Sequence, residues 1–77
     1  MTREERQQRL KERGLTMEVV AARNGWNYAM ASQVMRIGAG AIGVPGSRTR
    51  EIAEGIAREL GCSFRKVWDE ARGEKAA

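Results

Sequence analysis

The side chains in this sequence that can do chemistry are mostly arginines, and their placement is uneven. Residues 1–18 hold five basic and four acidic side chains and residues 51–77 hold five and six, so each flank nearly cancels. Residues 19–50 hold Arg23, Arg36, Arg48 and Arg50 with no acid, so the net charge of +4 traces to this middle segment. Such a cleared basic stretch suits a polyanionic partner, and Arg23, Arg48 and Arg50 are candidate phosphate contacts. Chemistry of other kinds lacks its parts. The chain has no histidine and one cysteine, Cys62. That excludes a Cys/His zinc site and an internal disulfide. No base lies near Cys62 to activate it, and no paired carboxylates sit on an evident pocket-forming scaffold, so an enzyme is not expected and no cofactor is implied.

The elements that must position those arginines are helices. With 77 residues the chain supports one domain, 1–77, and its composition is that of a globular protein. Thr2 followed by Glu5 predicts a capping box opening a helix over Arg3–Arg13, stopped by Gly14, with Leu10 as its only large apolar residue. Thr16 is the next cap, and its helix ends at Gly25. Asn27 then caps a helix reaching Ile37. Four glycines and the only proline between 38 and 46 predict a loop, tethered to the core by Ile42 and Val44. Ser47 caps the most amphipathic segment, with Glu51 as a second capping-box partner and Ile52, Ala53, Ile56, Ala57 and Leu60 on one face. Gly61 stops it, Ser63 caps a last helix from Phe64 to about Arg72, and a frayed tail over 73–77 follows. Val20, Trp26, Val34, Val67 and Trp68 complete the expected core, and Cys62 reads as a small buried hydrophobe.

Two short helices joined by a tight glycine turn are the geometry of a helix-turn-helix, here over residues 16–37. Counted from Met17, the fifth position needs a small residue where the helices cross, and Ala21 supplies it. The ninth needs glycine for a left-handed turn, and Gly25 supplies it. Positions four, ten and eighteen must be buried; they are Val20, Trp26 and Val34, while position fifteen is the small Ala31 with Met30 and Met35 nearby to fill space. Residues 16–36 thus resemble the helix-turn-helix of the lambda-repressor-like DNA-binding domains. Over roughly residues 8–72, Gly14-Leu15-Thr16, Ala21 through Gly25, Ile52-Ala53, Leu60-Gly61-Cys62-Ser63 and Val67-Trp68 resemble the Ner-like regulators of transposable phages. The chain departs from that pattern at Trp26 and Asn27, where leucine and serine are usual, at Ala31, and in its glycine-rich loop.

The resemblance implies an all-α, compact five-helix lambda-repressor-like fold whose recognition helix enters the major groove of double-stranded DNA. It implies base contacts from Asn27, Tyr28, Ala29, Ser32, Gln33 and Arg36. Gln33 could bond an adenine bidentately, Arg36 reach guanine or phosphate, Ala29 meet a thymine methyl, and Ser32 act as donor or acceptor. Asn27 is expected to be engaged in capping, with Tyr28 on a phosphate. Backbone amides near Thr16 and Met17 would take another phosphate. The expected role is a phage or mobile-element transcriptional regulator. One recognition helix makes few base contacts, which implies a homodimer or tandem binding, with a protein of the transcription machinery as a further partner. Two alternatives use the same helices: a protein-interaction module, and an architectural or recombination factor. With no membrane-spanning run and a charged start, Met1-Thr2-Arg3-Glu4-Glu5, a cytoplasmic, nucleoid-associated location is expected.

Overall fold

The computed structural model describes residues 1–36 and 44–68. They form five helices and, among the described residues, no strand: α1 (Arg3–Glu12), α2 (Met17–Asn24), α3 (Tyr28–Arg36), α4 (Arg48–Leu60) and α5 (Phe64–Trp68). The chain is all-α, as expected. Ile37, the loop residues 38–43, the extension of the last helix toward Arg72 and the tail over 73–77 lie outside the described residues. No helix among the described residues is long and apolar enough to cross a membrane.

Side-chain caps start every helix. The Thr2 hydroxyl accepts from the Glu5 amide at 3.1 Å, and the Glu5 carboxylate accepts from the Thr2 amide at 2.7 Å. The bond from the Thr2 backbone amide, helped by its hydroxyl, holds the Glu5 carboxyl below the usual carboxylate range. Thr16, Asn27, Ser47 and Ser63 accept from the amides of Val19, Met30, Arg50 and Lys66 at 3.1–3.2 Å. Each such cap contributes on the order of 1 kcal/mol. The second capping box does not form. The residue that Ser47 caps is Arg50, three positions on, so Glu51 sits one residue too late and pairs with Arg48 at 3.7 Å instead. Helix α1 ends one residue early, at Glu12: Arg13 is its cap, with ψ 6° already outside the helical range, and Gly14 follows in the left-handed region at φ 72°.

Helix α4 is the hub and packs against each of the other four. Its apolar face, Ile52, Ala53, Ile56, Ala57 and Leu60, is buried against Leu10, Val20, Ala21, Ala31, Val34, Met35, Val67 and Trp68. Fully burying a large aliphatic side chain stabilises by roughly 1.5–3 kcal/mol, so this cluster dominates the fold. The Trp68 indole N–H donates to the Ala53 carbonyl at 3.0 Å, which satisfies the polar tip of a side chain that is otherwise enclosed. Ala31 is completely buried, with Met35 beside it in the core and Met30 packed at its edge.

Three details differ from the sequence reading. Val44 is 70% exposed and does not tether the loop to the core. Cys62 is only partly buried, because its place just past the Gly61 stop leaves it at the rim of the cluster. Helix α1 buries Arg6 as well as Leu10. The Arg6 Nε donates to the Met35 carbonyl at 3.0 Å, and its Nη1 to the carbonyls of Met1 and Val67 at 3.0 and 3.4 Å. Its guanidinium also lies 4.5 Å from the Trp68 ring centroid. One arginine therefore joins α1 to the ends of α3 and α5.

Candidate nucleic-acid interface

Helices α2 and α3 are joined by three residues whose path is set by Gly25, at φ 71° and ψ 28°. This left-handed conformation costs a residue with a Cβ roughly 1–2 kcal/mol. It lets the Gly25 amide reach the Ala22 carbonyl at 3.4 Å and the Trp26 amide reach the Ala21 carbonyl at 2.9 Å, closing the end of α2. Trp26 then turns inward, 9% exposed, and Asn27 opens α3. The glycine and the buried tenth position stand where the spacing places them.

Helix α3 has two distinct faces. Ala31, Val34 and Met35 point into the core. Tyr28, Ala29, Gln33 and Arg36 are exposed and Ser32 is half-buried, so Ala29, Ser32, Gln33 and Arg36 run along one outward strip at helical spacing. Tyr28 is 52% exposed at the head of that strip. No acidic residue lies within α3, and Arg36 forms no ion pair with a described residue. Asn27 sits at the same end, exposed, with its Oδ1 accepting from the Met30 amide. Its amide NH2 is the part left to reach outward. Five of the six expected base-contacting residues, Tyr28, Ala29, Ser32, Gln33 and Arg36, are thus on one side of α3, and Asn27 precedes the helix as its cap.

The other arginines are less free than the linear charge count suggests. Acids from α4 fold onto each of them. Arg23 pairs with Glu59 at 3.4 Å, and Asn24 donates to the same carboxylate at 3.1 Å. Arg48 pairs with Glu51, and Arg50 with Glu54 at 3.3 Å. Arg50 also lies 4.0 Å from the Phe64 ring centroid, leaving its side chain 26% exposed. The Arg48–Glu51 pair is exposed on both sides, and such pairs are worth only about 0–1 kcal/mol, so a phosphate can take the place of that carboxylate; Glu59 and Arg50 are more enclosed. Position matters more. Arg23 is held near the C-terminal end of α4 while Arg48 and Arg50 stand at its N-terminal end; nine residues of helix, roughly 13 Å, separate Arg50 from Glu59. The three do not form one cluster.

No family model, curated protein or solved structure matches the chain. The candidate interface therefore stands on its own geometry.

At the start of α2, the Thr16 hydroxyl is engaged by the Val19 amide at 3.2 Å, and Met17 is half-buried against the core. What these two positions can offer a phosphate is backbone amide rather than side chain. Glu18 follows immediately, exposed, and lines an open groove with Ala21, Ala22, Trp26 and Tyr28. An anion approaching the head of α2 meets that carboxylate, a feature the acid-free stretch beginning at residue 19 hid by one position.

Two residues that support α3 escaped the sequence reading. Arg6 fastens its last turn through the Met35 carbonyl; the available signal was spacing, since Arg6 precedes the buried Leu10 by four residues and shares its helix face. Gly55 is buried in the middle of α4, where glycine is unfavourable by roughly 0.5–1 kcal/mol relative to alanine. A lone glycine inside a strong amphipathic pattern signals close packing, and here the neighbour is the Trp26 ring.

Proposed function

We propose that this chain is a sequence-specific double-stranded DNA-binding protein of the helix-turn-helix type, with α3 as the recognition helix. One observation carries the reading: the outward strip of α3 presents Ala29, Ser32, Gln33 and Arg36, led by Asn27 and Tyr28, with no acid among them, while the opposite face locks the helix into the core. An α-helix fits the major groove, about 12 Å wide, and amide and guanidinium forks match the base edges there. Gln33 reads adenine and Arg36 reads guanine or holds a phosphate. Arg48, Arg50 and the backbone amides near Thr16 and Met17 contact the backbone, exchanging carboxylate for phosphate. Arg23 acts as a more remote phosphate contact.

The resemblance to lambda-repressor-like domains, and to the Ner-like regulators in particular, supports this reading and suggests control of transcription on a phage or other mobile element. The domain would occupy a short operator and change access of the transcription machinery to it. Two copies, as a dimer or in tandem, would supply the base contacts that a single helix lacks.

Selection of bound sequences from random duplex DNA tests this. The expected result is one enriched motif containing an adenine whose preference disappears in Gln33→Ala. Recovery of no motif by the folded wild-type protein would reject sequence-specific binding and favour the protein-interaction alternative.

A further inference from the structure

Gly55 has no conformational reason to be glycine. It lies inside α4 and is not among the glycines of positive φ. What it meets is Trp26: a Cβ added at Gly55 would overlap the Cζ2 and Cη2 atoms of the indole. The far edge of the ring thus rests against the α4 backbone, with the Arg58 guanidinium bordering the same spot, 3.4 Å from where that Cβ would stand. Trp26 is the residue directly before the Asn27 cap, so this contact sets how far the start of α3 stands from α4. The other end of α3 is held separately, by the Arg6 bond to the Met35 carbonyl and by burial of Val34 and Met35.

We infer that Trp26 and Gly55 are positioning residues for DNA reading: an indole seated in a glycine notch fixes the angle of α3 relative to α4, and with it the register between base-reading side chains and the Arg48 and Arg50 backbone contacts. The inference rests on the proposed DNA-binding function. Carbon atoms need about 3.5 Å, so a methyl group in the notch displaces the ring by on the order of 1 Å. Because the far end of α3 is pinned, that displacement tilts the helix instead of translating it. The outward residues then miss their base edges while phosphate contacts, which tolerate small shifts, persist.

The test compares wild type, Gly55→Ala, Trp26→Leu and the double variant. Amide chemical shifts of the free proteins report position without DNA. Affinities for the selected site and for unrelated duplex report reading. In Gly55→Ala the amides from Asn27 to Ala31 should move while Val34 and Met35 stay, and the ratio of specific to unrelated affinity should fall about tenfold or more. Unrelated affinity should hold within about twofold, since phosphate contacts supply it. The double variant should recover most of the ratio, because the shorter leucine leaves room for the methyl. An unchanged ratio in folded Gly55→Ala, or unmoved amides at the start of α3, overturns the inference. If Gly55→Ala does not fold, the comparison passes to Trp26→Leu, whose emptied notch should give a lower ratio than the double variant; equal ratios overturn it. Moved amides together with a wild type that selects no motif uphold the positioning contact and reject the DNA reading beneath it.

Discussion

Replacing Arg6 by methionine should destabilise the domain by about 3 kcal/mol, within a range of roughly 2–5. The guanidinium bonds the carbonyls of Met35, Met1 and Val67 and stacks on Trp68, and the residue is 0% exposed. A hydrogen bond from a charged donor contributes about 1.5–3 kcal/mol net, and a desolvated cation–π contact about 2 kcal/mol. Against this, burying a guanidinium costs several kcal/mol, which methionine does not incur. The partners decide the sign. They include backbone carbonyls that no side-chain substitution can remove, and a buried acceptor left without a donor costs about 1–3 kcal/mol. The Met35 and Val67 carbonyls would both lose their Arg6 donor, whereas methionine retains the aliphatic cover of the Trp68 ring. For a chain of this length total stability is on the order of 4–12 kcal/mol, so the loss is a large fraction of it. Urea denaturation followed by tryptophan fluorescence and circular dichroism would measure it, and the melting temperature should drop by at least about 10 °C. Arg6→Lys should fall between, since one ammonium cannot reach all three carbonyls in the guanidinium's planar geometry. If Arg6→Met is as stable as wild type, with an unchanged denaturant slope, the buried arginine is a tolerated occupant and not a fastener.

Gly25→Ala should cost about 1–2 kcal/mol, seen as a lower urea midpoint, because the left-handed turn is retained only against the strain of a Cβ. Gln33→Ala should leave stability unchanged within about 0.5 kcal/mol and weaken binding to the selected site by about 1–3 kcal/mol at a single base pair, read by titration against operator variants. Arg48→Ala should weaken binding to all duplexes alike but flatten the salt dependence by less than one full phosphate contact, because Glu51 is freed when a phosphate takes Arg48; fluorescence anisotropy across ionic strengths measures both. The depressed Glu5 carboxyl contributes stability that is present above the unfolded carboxylate value and is lost as pH falls through the lower folded value. Acid titration of the melting temperature should therefore show a small decline below the usual carboxylate range, and Glu5→Gln should remove that part of it.

Local signals carried the architecture well. Thr2, Thr16, Asn27, Ser47 and Ser63 each cap the helix that their spacing announced, and Gly14, Gly25 and Gly61 follow the helices they were expected to stop. Those signals act within a few residues, so one sequence is enough to see them. Contacts that join distant segments left no such trace. Glu59 lies 36 positions from Arg23, and Arg6 lies 29 positions from Met35 and 61 from Val67, so linear charge counting saw an open basic stretch and an exposed helix. The outward face of α3 was legible because helical period alone separates Ala29, Ser32, Gln33 and Arg36 from Ala31, Val34 and Met35. The state of Arg23 was not, because Glu59 comes from a distant helix; Glu51 and Glu54 follow Arg48 and Arg50 at helical spacing on α4 itself, just past the acid-free stretch.

On the proposed DNA-binding function, those accompanied arginines would change what salt does to binding. When duplex DNA engages Arg23, Arg48 or Arg50, each phosphate evicts a carboxylate of Glu59, Glu51 or Glu54 instead of meeting a bare cation. The nucleic acid gives up a counterion, but the freed carboxylate attracts one. Ion release is partly cancelled, so the slope of affinity against salt undercounts the contacts made. Attraction to arbitrary DNA would be muted in the same way, while Arg36 on the α3 strip, which forms no ion pair with a described residue, would meet DNA without displacing one of these carboxylates. On the proposed function, such an arrangement would put less of the binding into sequences that the protein must leave, and the bases that it reads would decide its residence on DNA.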